Sequence, residues 1–106
     1  MSEPSLHTVH RALTLTIGQH ARRARLALLC AVVYACDAHR LRAAGSERGY
    51  ARAALQVRRT LADAVCGEPA WPIPTLCMAI EAVMRGQLMV AQAHLDLINA
   101  PEEVYK

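Results

Sequence analysis

SERGYARAALQVRRTLADAV, residues 46–65, decides the fold. Tyr50, Ala54, Val57, Leu61 and Val65 recur at three- and four-residue intervals, with Arg48, Arg52, Arg59 and Asp63 on the other side. At the angular step of an α-helix this gives one apolar stripe and one charged face, whereas strand alternation gives neither. Ser46 offers a side-chain oxygen to the first turn, and Gly45 before it ends whatever precedes. The segment reads as an amphipathic helix that needs a neighbouring apolar surface to be stable.

That surface lies upstream. HARRARLALLCAVVYACDAHRLRAAG, residues 20–45, holds strong helix formers throughout, with Arg40 and Arg42 in its last turn. Its middle is apolar on every side, as in a helix buried centrally. Further upstream, Ser5 reads as an N-cap, and Leu6, Val9, His10, Leu13 and Ile17 follow at helical spacing as far as a weak break at Gly18. LTLTI, residues 13–17, also alternates like a strand, but nothing later offers that strand a partner.

Downstream, Gly67, Pro69, Pro72 and Pro74 make CGEPAWPIPT, residues 66–75, a connection. Trp71 reads as a plug folding it onto the bundle. Thr75 reads as the cap of a last helix that Asn99 and Pro101 end. The expected fold is all-α, a compact bundle of four helices over 5–17, 20–44, 46–66 and 75–99, or five if Gly86 interrupts the last. Residues 1–106 form a single domain, with frayed ends at 1–4 and 100–106. No internal repeat is visible.

Composition agrees with this reading. Phe is absent, the only aromatics are Tyr34, Tyr50, Trp71 and Tyr105, and 106 residues can bury a core without metal or disulfides. Arg outnumbers Lys eleven to one, a bias that a GC-rich bacterial genome produces and that also suits phosphate and carboxylate partners. The net charge of +3 divides unevenly, with +8 over residues 10–60 and −4 over residues 61–106. Such polarity fits an anionic partner or two mutually attracting halves. The start lacks the pattern of a secretory signal, and the longest charge-free runs, Leu26–Cys36 and Pro69–Ile80, are too short for a membrane span. A cytoplasmic protein with reduced thiols is therefore expected.

CAVVYACDAHR, residues 30–40, is the one stretch dense in reactive side chains. On a helix Cys30 and Cys36 stand about 240° and about 9 Å apart, so they neither share an ion nor bridge. Asp37 and His39 diverge by about 200°, which rules out a triad-like pair. Cys36 and His39 do share a face. A Zn²⁺ site would need them joined by His7 and His10 from the first helix, and a thiolate is disfavoured toward a helix C-terminus. The stretch is expected to serve packing, with the cysteines as small core hydrophobes and His7, His10 and His39 partly exposed, and no metal or cofactor is expected.

Two arginine sets could bind partners. Arg22, Arg23, Arg25, Arg40 and Arg42 could neutralise nucleic-acid phosphates, although no recognisable reader motif accompanies them. Arg48, Arg52 and Arg59 could rim an apolar groove whose anchors would be Trp71, Met84 and Met89. MRGQLMVAQAHLDLINAP, residues 84–101, places Gly86, Leu88, Ala91, Leu95 and a proline in a way that resembles the second half of a tetratricopeptide repeat. Upstream, Ala79 stands where that family prefers Gly, and nothing comparable occurs in residues 5–66. The resemblance implies a helix–turn–helix hairpin with close helix approach, without assigning the family.

No phosphate loop, nucleophile elbow, HExxH or poised carboxylate pair occurs, so an enzyme is not expected. Apolar residues wrap around both the second and last helices, more than a small monomer readily hides. The expected function is a protein–protein interaction or regulatory module that binds another protein or a second copy of itself. A nucleic-acid-associated protein and a small metal-binding protein are the alternatives.

Overall fold

The computed structural model describes residues 2–100. Among them the chain forms five α-helices and no strand: α1 (Leu6–His20), α2 (Arg25–Ala43), α3 (Glu47–Gly67), α4 (Ile73–Met84) and α5 (Leu88–Ile98). The expected tail beyond Ala100 lies outside the described residues.

The expected caps form at Ser5, whose hydroxyl accepts the Thr8 N–H at 3.1 Å, and at Ser46, which accepts the Gly49 N–H at 3.3 Å. Thr75 caps nothing. α4 starts two residues earlier, because Pro74 sits within its first turn, where a missing N–H breaks no helical hydrogen bond, and Thr75 is buried inside. α1 runs through Gly18 to His20, beyond the expected end at Ile17.

The last helical segment divides at Gly86, which settles the count at five. Gly86 and Gly45 both adopt φ +80°, and both close the same turn. Gly45 N–H donates to Arg42 O and Ser46 N–H to Leu41 O, while Gly86 N–H donates to Val83 O and Gln87 N–H to Ala82 O. These bonds satisfy carbonyls that the helix ends leave open. Unlike sequences thus build two hairpins, α2/α3 and α4/α5, on one turn geometry. Gly45→Ala and Gly86→Ala are each expected to cost about 1–2 kcal/mol, because a side chain is strained at this φ. For Gly45 that strain is the whole effect, since an added Cβ there meets nothing within 4 Å. Equilibrium urea unfolding checks both values.

Between α1 and α2 the chain makes a turn that the sequence does not announce. Ala21 is extended and ends α1, and no side chain near the start of α2 caps it. The acceptor comes from the far end of α3. Glu68 Oε1 accepts the Ala24 N–H at 2.9 Å and the Arg22 N–H at 3.0 Å. The Ala24 bond, followed by the Arg22 bond, holds the Glu68 carboxyl below its ordinary pKa. A carboxyl with a lowered folded-state pKa stabilises above its unfolded pKa, and the contribution is lost as pH falls through the folded value. Glu68→Gln is therefore expected to lower the melting midpoint at pH 7, with the difference from wild type closing in the acid range. A gap independent of pH would refute the ionic contribution.

α2 touches α1, α3 and α4, its contact with α3 being the most extensive, and α4 touches all four other helices. α3 meets only α2 and α4, and α5 meets only α4 and α1, so these two form opposite edges of a body measuring 49 × 36 × 16 Å. Ala31, Ala35 and Ala38 are fully buried along α2, and Ala53, Ala54 and Ala64 are buried along α3. Their small side chains let helix axes approach closely. The α3 stripe ends at Ala64, while Val65 is partly exposed at its margin.

α2 is central, as expected, yet one side of it is bare: Leu26 is 75% and Val33 54% exposed. Trp71 does not plug the connection. It is 61% exposed, and Pro72 and Ile73 are buried beside it instead. At the other edge Thr16, buried in α1, donates to Ala12 O and accepts from Asn99 Nδ2 at 3.2 Å, which ties the end of α5 to α1. No helix among the described residues is long and apolar enough to cross a membrane.

Candidate functional site

The turn at Gly45 makes α2 and α3 antiparallel, and a cleft of about 550 Å³ opens along one side of the pair. Tyr34, Asp37, Arg40 and Leu41 line it from α2, facing Gly49, Arg52, Ala53 and Gln56 from α3. Gly49 lets the Ser46 and Leu41 side chains pack close, because a Cβ there would fall 2.8 Å from Ser46 Oγ and 3.1 Å from a Leu41 methyl. The floor is apolar and charges sit at the rim. Arg40 pairs with Asp37 at 3.5 Å with both side chains exposed, an arrangement of little energetic consequence. It is the only ion pair among the described residues, so Arg52 meets the cleft with no carboxylate bound to it.

The two halves of opposite charge consequently meet without cross-half ion pairs among the described residues. Their polar links are Glu68 at the start of α2, Arg42, which donates to Arg85 O at 3.3 Å, and Asn99, which donates to Thr16 Oγ1. The Arg42 guanidinium also lies 5.7 Å from the Tyr50 ring centre, in cation–π range.

The residues singled out from sequence divide among several places. Arg48 and Arg59 are exposed on the same face of α3 as Arg52. Met84 is fully buried in the core and unavailable as a surface anchor, because α4 turns it inward. Met89 is exposed but lines a different cleft, between α5 and residues 2–4, and Trp71 stands on the α3–α4 connection. Of the proposed phosphate-binding set, Arg22 and Arg23 lie at one end of α2 and Arg40 and Arg42 at the other, about 27 Å away. Arg25 folds back to donate to Ala21 O and Gly18 O.

His7 and His10 line a recess with Arg11, Cys36 is buried, and His39 rests against the Gly86 turn. No group of three or more His, Cys, Asp or Glu side chains that could hold a metal occurs among the described residues. His39 Nδ1 is buried with no hydrogen-bond partner among them.

Burial raises the Cys36 thiol pKa, with Arg40 opposing and Asp37 adding. Burial, helped by Glu81, pushes Cys77 up to about 11. Both favour the unreactive thiol. Cys66, exposed near the end of α3, is expected to alkylate at pH 7.5 well before Cys36 and Cys77, as mass spectrometry of an iodoacetamide time course would show.

Tyr34, Leu41, Gly49, Ala53 and Gln56 were not legible as site residues from the pattern alone. The signal for them was the turn: counting outward from Gly45 along antiparallel helices brings Leu41 near Gly49 and Tyr34 near Gln56.

No family model, curated protein or solved structure matches this chain. The geometry of the cleft is accordingly the basis for any functional reading.

Proposed function

We propose that the protein is a non-catalytic cytoplasmic interaction module whose α2/α3 cleft receives a segment of another protein. The observation that supports this reading is the cleft itself, with its apolar floor of Leu41 and Ala53 and its rim of Arg40 and Arg52. Helix pairs of this kind accept an apolar segment by packing it between their ridges, while rim charges set its register. A phosphate-driven mode is less well supported, because the basic side chains at the two ends of α2 do not form one surface and the Asp37 carboxylate shares the cleft rim.

The test is capture from native lysate with untagged protein immobilised through Cys66, comparing wild type with Gln56→Trp. Gln56 is half-buried on the cleft wall, so an indole there fills the cleft without removing a core side chain. A protein retained through nuclease and moderate salt by wild type, and lost from Gln56→Trp, supports the reading. Material lost with nuclease transfers function to the basic side chains. If only the chain itself is retained and sedimentation shows a dimer, the occupant is a second copy.

A further inference from the structure

We propose that the segment received by the α2/α3 cleft is an acidic amphipathic helix, its apolar side on the cleft floor and its carboxylates on Arg48, Arg52 and Arg59. This inference rests on the cleft-docking reading and adds the chemistry of the occupant. Arg48, Arg52 and Arg59 fall within about 40° of one another around α3, with spacings of about 6 Å and about 10 Å along it. Those intervals match side chains one and two turns apart on a second helix laid alongside. All three are exposed, and none is ion-paired among the described residues.

Leu55, 44% exposed, belongs to the same ridge, so the row alternates charge with an apolar contact. α3 is an edge helix, touching only α2 and α4, which leaves this ridge open along its length. The cleft runs beside it, parallel to the two helix axes, with a floor too apolar for a purely ionic ligand. A helix carrying acids on one flank and aliphatic side chains on the next complements both features at once. Nucleic acid complements only the first, since its phosphates gain nothing from the apolar cleft floor and Leu55 would interrupt the row.

The chain is used to select from a displayed library of helical peptides on a fixed scaffold, with positions on two adjacent faces randomised. Selection is repeated with Gln56→Trp, with the charge-reversed triple variant Arg48→Glu, Arg52→Glu, Arg59→Glu, and with Arg22→Glu. Circular dichroism and melting confirm that each variant folds. The expected result is enrichment of Glu and Asp at one-turn spacing beside Leu or Ile. That enrichment falls at least tenfold on the triple variant and on Gln56→Trp, and is unchanged on Arg22→Glu.

Apolar clones without acids, blocked by Gln56→Trp but indifferent to the triple reversal, would overturn the acidic partner and leave the docking cleft standing. Clones indifferent to Gln56→Trp would overturn both. Displacement of acidic clones by a 20-nucleotide poly(dT) that binds more tightly through the same three arginines would overturn the peptide in favour of nucleic acid.

Discussion

Ile80→Ala is expected to lower the free energy of unfolding by about 2–5 kcal/mol, the range for deleting a fully buried aliphatic side chain. Ile80 is 0% exposed and stands on α4, the helix that touches all four others. A cavity there is walled by elements that also hold each other, so collapse around it is restricted and the upper half of the range applies. In a domain of this size each kcal/mol moves the melting midpoint by about 4–8 °C, so a fall of at least about 10 °C should accompany the change. Ile80→Val, which removes one methyl group, should cost about 0.5–1.5 kcal/mol. A loss below that for the alanine variant would mean that α4 shifts to fill the space, and that its central position confers less rigidity than its contacts imply.

The second large effect belongs to Ala35. Its methyl group is fully buried on α2, the helix that packs on α1, α3 and α4. Ala35→Asp places a carboxylate where no cation is available, and an uncompensated buried charge costs about 3–5 kcal/mol. Burial raises the folded-state pKa of such a group, so the penalty is complete above that value and shrinks as pH falls toward the unfolded-state pKa. The variant should be largely unfolded at pH 7 and recover structure as pH is lowered toward 5. Ala35→Leu tests the same spot without charge: overpacking should cost about 1–3 kcal/mol at every pH. Circular dichroism across pH separates the two mechanisms. An aspartate variant as stable as the leucine variant at neutral pH would mean that water reaches Ala35.

Much of this architecture was legible because the controlling interactions are local. Ser5, Ser46 and Gly45 act within a few residues of themselves, and each does what its chemistry suggests. The stripe from Tyr50 to Leu61 located the buried side of α3 for the same reason. Reading failed where the partner is distant in the chain. The start of α2 was placed too early because its acceptor, Glu68, lies more than forty residues away.

Trp71 and Met84 exchanged roles for a related reason: size and apolarity say that a residue prefers burial, not which side of its helix faces inward. Ile73 and Pro72 occupy the place expected for Trp71, and Met84, the last residue of α4, is fully buried in the core. Of the candidate site, the arginines of α3 could be read and the cleft floor could not. Tyr34, Gly49 and Gln56 acquire a common purpose only once the Gly45 turn sets two helices side by side.

The Glu68 clasp also gives two amides an unusual dependence. The N–H groups of Arg22 and Ala24 sit in a short turn that local fraying would ordinarily leave open to solvent deuterium. Their acceptor is carried by α3, so their exchange should slow to the rate at which the end of that helix detaches. These two hydrogens are thus a reporter of hairpin opening placed outside the hairpin. An occupant that holds α3 against α2 should deepen their protection without touching them.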